Sequence, residues 1–427
     1  MENSEKPNAY LDETRETSPW KTRREKLNQR FLKQMAYVFS HSRAYQDIFS
    51  KAGATQNDIR SLDDLEKLPI TKMKDLTARQ KEDFPFGGFD TMGSDFPRRI
   101  YINPGLIWQP GELEYNDTSW AEGLCGAGVE KGDMVLNTFN YHMWPFAFML
   151  DESAKMIGAT IVPTGAGNTL MQIKILQMLG IQAVMGTPSF LMTLIQRAEG
   201  MGVNVRSDLR LRKGFVCAEM LPESLRARLE KMLDATIRQA YGTVFLGCIG
   251  YECLHNTGLH ITDNIIVEVV DPHTGRQVPF GKAGEVVVTT FSSTFPLVRM
   301  ATGDLSLFTG SDCPCGRTAP KLKKILGRID QATKVRGTFI HPWQVDEVMA
   351  RYPEVFKYQV VITRKNHSDV MTFVVELTEE ISAPGSLQAR IERDIKDMLT
   401  VRGDVHVAPR GSIPDFHKKI DDRRSWE

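Results

Sequence analysis

Residues 296–342 read PLVRMATGDLSLFTGSDCPCGRTAPKLKKILGRIDQATKVRGTFIHP, and this stretch decides the fold. Three signals stand in it. Arg299-Met-Ala-Thr-Gly-Asp304 follows a strand-like run, and a turn there can present the Asp304 carboxylate to a hydroxyl pair such as a ribose diol. Cys313-Pro-Cys315-Gly is a tight turn carrying two thiols. Gly327-Arg328-Ile329-Asp330 marks the place where a large first region meets a small last one.

Together these motifs resemble the adenylate-forming enzymes, specifically the phenylacetate–CoA ligase branch. Thr302-Gly303-Asp304 matches that family's ribose turn, Cys313 to Arg317 its metal turn, and Gly327 to Asp330 its hinge. Lys334 to Gly337 and Ile340-His341-Pro342 match the segment after the hinge. The resemblance implies an α/β fold: a large multi-sheet N-terminal domain over residues 1–329 and a small α+β lid over 330–427. Residues 1–18, polar and acidic, are expected to be a mobile leader.

The totals agree with a soluble, multi-domain enzyme. A chain of 427 residues exceeds one ordinary core. With 53 basic and 53 acidic residues the formal net charge is zero, and no like-charged block suggests a nucleic-acid groove. No uncharged apolar run reaches the roughly 18 residues of a membrane span. The N-terminus reads as neither secretory signal nor transit peptide, so a cytoplasmic location is expected. Six cysteines are too few for a disulfide scaffold at this length.

Taken in order, the chain first gives a helical pattern from Pro19 to Ser50, with Leu27, Phe31, Met35, Val38 and Phe39 at helical spacing. From Asp117 to Leu233 apolar strands alternate with amphipathic helices, the rhythm of a doubly wound sheet. Asn140-Tyr141-His142 falls at a strand end, where open sheets place ligands, so Tyr141 and His142 are either substrate-pocket or core residues. Two strands, Asn264 to Val270 and Glu285 to Thr290, suggest an antiparallel unit. After Asp330 the pattern becomes a compact α+β arrangement.

Cys253, His260, Cys313 and Cys315 supply three thiols and one imidazole, a set suited to tetrahedral zinc with no open position. Spacing alone leaves two readings, a metal site or four unrelated reduced side chains. The resemblance implies structural zinc.

For the remaining site residues, the resemblance assigns Glu219, Tyr241, Asp304 and Arg328 to the nucleotide. Tyr141, His142, Trp108 and Thr243 are expected around the acyl substrate, with Trp108 either filling the former phosphate volume or stacking on an aromatic acyl group. The ATP-phosphate motifs depart from the family. Residues 98–115 read RRIYINPGLIWQPGELEY, where relatives carry a Ser/Thr/Gly loop ending in Gly-Lys-Pro. Here the glycine is Trp108, the lysine is Gln109, and Pro104 lacks an N–H. In Tyr241-Gly-Thr-Val-Phe245, phenylalanine stands where relatives place the magnesium-holding Glu, and an aromatic ring offers no oxygen to that ion. The tail lacks the catalytic Gly-Lys. Lys418 replaces that lysine only by a shifted register.

The expected function is therefore transfer of an aromatic or small acyl group from a CoA thioester to another thiol, such as a carrier protein, with ATP and magnesium use weakened or lost. An ATP-dependent aryl-CoA ligase is the alternative, and a non-catalytic ligand-binding descendant the third reading. The expected partners are a small acyl substrate and, as in relatives, a second copy of the chain; neither nucleic acid nor membrane is expected.

Overall fold

A computed structural model of the chain describes residues 10–112, 116–329, 333–336, 338–340, 342–365, 368–378, 384–414 and 418–424. The described residues up to Thr302, with Ser306–Ile325, form one compact unit. Gly303–Leu305 and the residues from Leu326 onward form a second.

Apolar runs with β-branched residues become strands buried on both faces, as parallel sheets require. In the first unit Thr160–Pro163, Met134–Asn137, Ala183–Gly186, Lys213–Val216 and Thr236–Thr243 lie side by side in that order, all parallel. Gly247–Tyr251, Leu259–Ile261, Lys321–Leu322 and Phe308–Thr309 extend the sheet in antiparallel fashion to nine strands. The helices Phe146–Ile157, Thr169–Leu179, Pro188–Gly200 and Glu223–Leu233 are the crossovers. Each buries a stripe at helical spacing, such as Leu191, Leu194, Ile195 and Ala198. Strand order reverses beside Met134–Asn137, so the loops after the carboxyl ends flank a crevice.

A second sheet pairs Ile265–Val270 with Gly284–Thr290, in register from Ile265↔Thr290 to Val270↔Glu285. Its core is shared with the N-terminal helix Trp20–His41 through Phe31, Met35 and Val38. The helical pattern expected to run to Ser50 breaks at Ser42, and a separate helix, Arg43–Lys51, follows.

The leader is a correction for the residues described. Asp12 caps a short helix, Glu13–Thr17. Glu16 is 1% exposed and meets Arg317 Nε at 2.7 Å. The Tyr10 hydroxyl donates to the Cys315 carbonyl. Polar composition suggested a solvated segment, but a buried ion pair with a residue 301 positions away holds it in place.

The second unit contains a sheet in the order Asp404–Ala408, Ser368–Leu377, Val355–Lys365, Ile420–Asp422. The helices Pro342–Met349 and Pro384–Leu399 contribute Val345, Val348, Ile391 and Ile395 to its core. The edge strand Ile420–Asp422 pairs in parallel with Val360–Ile362, which its charged sequence did not announce. Of the motif positions read from sequence, Asp330, Gly337 and His341 lie outside the described residues.

Arg299 anchors the smaller sheet of the first unit. It is 2% exposed and grips Glu268 through two bonds of 2.9 and 3.0 Å. Nη1 donates to the Leu68 carbonyl at 2.6 Å, and Nη2, besides Glu268, to the Gly275 carbonyl at 2.8 Å. Removing one member of such a pair leaves a buried charge alone, which costs about 3–5 kcal/mol. Arg299→Met is therefore expected to lower the unfolding free energy by that margin. The double variant Arg299→Met/Glu268→Leu should recover most of the loss; urea unfolding of both proteins checks the pair.

Candidate active site and metal centre

Glu219 is positioned by strand Lys213–Val216. Beyond the strand the buried Cys217 is followed by Ala218 at φ +69°, a left-handed turn that reverses the chain. The Glu219 carboxylate accepts the Ser189 hydroxyl at 2.8 Å and the Ser189 N–H at 3.2 Å. Its carbonyl accepts the Gln239 amide at 2.9 Å. Burial pushes the Cys217 thiol up, which opposes a thiolate nucleophile there.

Tyr241 and Thr243 close the strand Thr236–Thr243. Gly242 between them has a steric reason: a Cβ there would lie 2.3 Å from the Gly247 carbonyl and 2.8 Å from Trp120. The Thr243 hydroxyl accepts the Leu246 N–H at 3.1 Å and caps the turn.

Tyr141 donates to Asp151, with its hydroxyl 2.9 and 3.0 Å from the two carboxylate oxygens, and Asn137 donates to the same carboxylate at 2.8 Å. Burial and the adjacent Asp151 hold the Tyr141 phenol protonated, well above its usual range. His142 is exposed. Sequence reading missed Asp151, Ser189 and Gln239. The available signal for Asp151 was a carboxylate set directly after the apolar run Phe146 to Leu150.

The loop expected to differ from a phosphate cradle is a closed hairpin. Ile100–Asn103 pairs with Ile107–Pro110 across Pro104, Gly105 and Leu106. The Gln109 amide donates to the Val244 carbonyl at 2.9 Å, and its oxygen accepts Asn103 at 3.0 Å. Gln80 holds the hairpin from the opposite side through both backbone groups of Trp108, at 2.6 and 3.0 Å. Strand alternation places Tyr101 and Gln109 on one face, Ile102 and Trp108 on the other.

The Tyr101 face borders a cavity of about 500 Å³, with Phe148, Phe245, Phe291 and Glu112 also in its wall. Burial pushes the Glu112 carboxyl up, against hydrogen bonds from Ser292 and Thr294. Trp108 lies away from this cavity, edge-on to Phe84 at 5.0 Å. Strand alternation places it on the other side of the hairpin, where it packs against the core of the first unit. At the two family motif positions, Phe245 offers no oxygen to magnesium and the Gln109 amide is bonded to Val244, while Arg98, Arg99, Glu112 and Asp117 also line the cavity.

The four expected metal ligands come together. Pairing of His260 with Lys321 brings the two sequence-distant halves side by side. The ligand atoms of Cys253, His260, Cys313 and Cys315 all lie within 4.8 Å of one another. The sulfurs of Cys253 and Cys313 are 3.5 Å apart, as are Cys315 Sγ and His260 Nε2. Tetrahedral thiolate ligation at about 2.3 Å puts sulfurs ~3.8 Å apart, so the set can hold a metal ion. Hydrogen bonds from Cys253 and Cys315 hold the Cys313 thiol far below its usual range, and Thr257 adds a donor at 3.0 Å. Cys248 stands outside the group, its sulfur 3.6 Å from the Gly250 carbonyl.

In the second unit Asp304 and Arg328 are paired across adjacent strands, at 3.1 Å. Lys418 is exposed and anchored through its carbonyl by Gln359 at 3.0 Å. The neighbouring Lys419 binds Asp346 at 2.6 Å.

Known proteins agree with this architecture. Residues 127–294 match the AMP-binding enzyme family, and residues 337–424 match the AMP-binding enzyme C-terminal domain. The phenylacetate-coenzyme A ligase of Thermus thermophilus is 31% identical over 429 residues, covering 93% of this chain and 95% of the relative. The phenylacetate-coenzyme A ligase of Escherichia coli is 28% identical over 405 residues, covering 90% and 91%. The fold matches a 2-hydroxyisobutyryl-CoA ligase in an open conformation, bound to 2-HIB-AMP and CoA, with a TM-score of 0.83. That match has 24% identity and covers 99% of this chain and 96% of the other. The chain belongs to the phenylacetate–coenzyme A ligase branch of the adenylate-forming enzymes, a family of acid–CoA ligases.

Proposed function

We propose that the protein handles an aromatic or small carboxylic acid as its acyl thioester, passing the acyl group from CoA to a second thiol without forming an adenylate. The acceptor sulfur bonds to the acyl carbon, the C–S bond to CoA breaks, and the acceptor's proton passes to the CoA thiolate. A carrier-protein thiol is a suitable acceptor. One observation carries this reading: the hairpin that replaces the phosphate loop is closed through Gln109 and Val244, beside Phe245. Preorganised donors and metal ions commonly contribute several kcal/mol to such charged transition states, and this hairpin offers neither.

Within that reading Tyr141, held by Asp151, borders the acyl group, with His142 in the same loop. Glu219 and Tyr241 of the first unit are nucleotide-binding residues in this reading; in the second unit, taken by itself, Asp304 and Arg328 carry the family's ribose and hinge motifs. Thr243 has a positioning role through the Leu246 N–H. A second reading, an ATP-dependent acid–CoA ligase, is favoured by near full-length identity to phenylacetate-coenzyme A ligases. In it Lys418 would take the place of the missing lysine. We assign zinc to Cys253, His260, Cys313 and Cys315 as a structural ion, since four protein ligands leave no position for substrate.

Two measurements check these assignments. Given an aryl-CoA and an acceptor thiol, the enzyme is expected to exchange the thioester with no ATP present. Given the free acid, CoA, ATP and magnesium, it should release no pyrophosphate above the blank. Pyrophosphate release matched by acyl-CoA formation would overturn the first reading in favour of the second. Elemental analysis should find one zinc per chain, reduced at least tenfold in Cys315→Ser. Chelation should expose Arg15 to trypsin, because Tyr10 and Glu16 hold their segment to the Cys315–Arg317 turn. Metal-free protein that melts at the same temperature would remove the zinc assignment.

A further inference from the structure

A second cavity, of about 380 Å³, lies in the first unit between helix Trp20–His41 and strand Ile265–Val270. Its volume falls within the roughly 300–1,000 Å³ of small-molecule sites. The wall is mostly apolar, with Trp20, Leu27, Leu65, Ile266, Phe280 and Phe308 prominent. Phe280 is 65% exposed and stacks on Phe308 at 5.3 Å, so an aromatic pair stands in the wall with one ring open to solvent.

Charge is distributed unevenly around that wall. Five cations line it, Arg15, Arg23, Arg24, Lys26 and Arg30, against three carboxylates, Asp63, Asp263 and Glu268. The carboxylates are already matched. Glu268 pairs with Arg299, Asp263 with Arg15 and Arg23, and Asp63 with Arg24. Among the described residues, Lys26 and Arg30 have no carboxylate partner. Arg30 lies flat on Phe291 at 4.2 Å and bonds only neutral oxygens, the Asp263 carbonyl at 2.9 Å and Asn264 Oδ1 at 2.6 Å. An apolar chamber with two cations unmatched by carboxylates is complementary to an apolar body carrying one anionic group.

The chamber is also linked to the candidate active cavity. Ile265 stands in the walls of both. Asn264, which accepts from Arg30, donates in turn to Asp117 at 2.9 Å, and Asp117 lines the other cavity.

We propose that this chamber is a second ligand site, for an amphipathic monocarboxylate of medium chain length, separate from the cavity beside Phe245. The alkyl or arylalkyl chain packs against Leu27, Leu65 and Ile266. The carboxylate meets Lys26 and Arg30. Because Arg30 holds Asn264, occupancy is transmitted to the Asp117 side of the active cavity.

Decanoate is the probe, used with the full chain below its micelle concentration. Isothermal titration should show saturable one-to-one binding, accompanied by a fluorescence change that disappears in Trp20→Phe. Lys26→Glu and Arg30→Gln should each weaken binding at least fivefold. Lys26 is an exposed helix position, so its variant tests the site even if Arg30→Gln misfolds. Decanol should bind at least tenfold more weakly. The proposal is overturned by the absence of saturable binding, by affinity unchanged in Lys26→Glu, or by decanol binding as tightly as decanoate. It is also overturned if Phe245→Ala abolishes decanoate binding while Lys26→Glu does not, which would place the ligand in the active cavity.

Discussion

A single amide hydrogen bond joins the two segments at the edge of the candidate active cavity. Gln109 reaches from the Ile107–Pro110 strand to the Val244 carbonyl and ties a hairpin to the turn after Thr243. Two segments 135 residues apart are thereby fixed to each other. In a phosphate-binding loop, backbone N–H groups and hydroxyls must remain available to an anion. Here the two strands of the hairpin pair with each other, and the outward N–H and carbonyl of Trp108 are taken by Gln80. The same tie places Phe245 in the cavity wall. The cavity wall beside this tie mixes aromatic rings, Tyr101, Phe148, Phe245 and Phe291, with the charged side chains Arg98, Arg99, Glu112 and Asp117.

The Cys313–Arg317 turn acts as a second clasp, between segments that sequence keeps far apart. Strand Leu259–Ile261 carries His260, and its neighbour Lys321–Leu322 emerges from the turn that carries Cys313 and Cys315. Arg317, two residues past the last thiol, is buried against Glu16 and over the rings of Tyr10 and Tyr251. Ligand set, ion pair and aromatic contacts thus converge on one short turn. Low dielectric strengthens each polar contact there and makes each costly to leave unpaired. This explains why the acidic residues 10–18 are folded onto the unit.

Charge burial recurs as a device for joining loops. Arg226 is 4% exposed and grips Glu252 through bonds of 2.7 and 2.8 Å, while Arg299 grips Glu268. In both cases the guanidinium also satisfies backbone carbonyls of other segments. The planar fork of arginine suits this role, because it can bind a carboxylate bidentately and still donate elsewhere. Such pairs define where loops sit more than they add net stability.

The sequence alone determined the parallel sheet and its crossover helices, and it named the four Cys and His side chains that the fold brings together. Strands such as Ala183–Gly186, buried on both faces, read as continuous apolar runs, and a helix such as Glu223–Leu233 carries a regular stripe. Those signals are local, repeating within a few residues. The departures at Gln109 and Phe245 were also visible, because motif positions are counted along the chain. Only the tertiary structure decided what partners far apart in sequence do. It set Glu16 against Arg317, Asp151 under Tyr141, Ser189 on Glu219, and Trp108 against Phe84. A buried carboxylate and a solvated one have the same letter. Which of the two it becomes depends on an ion or donor delivered by folding from elsewhere in the chain.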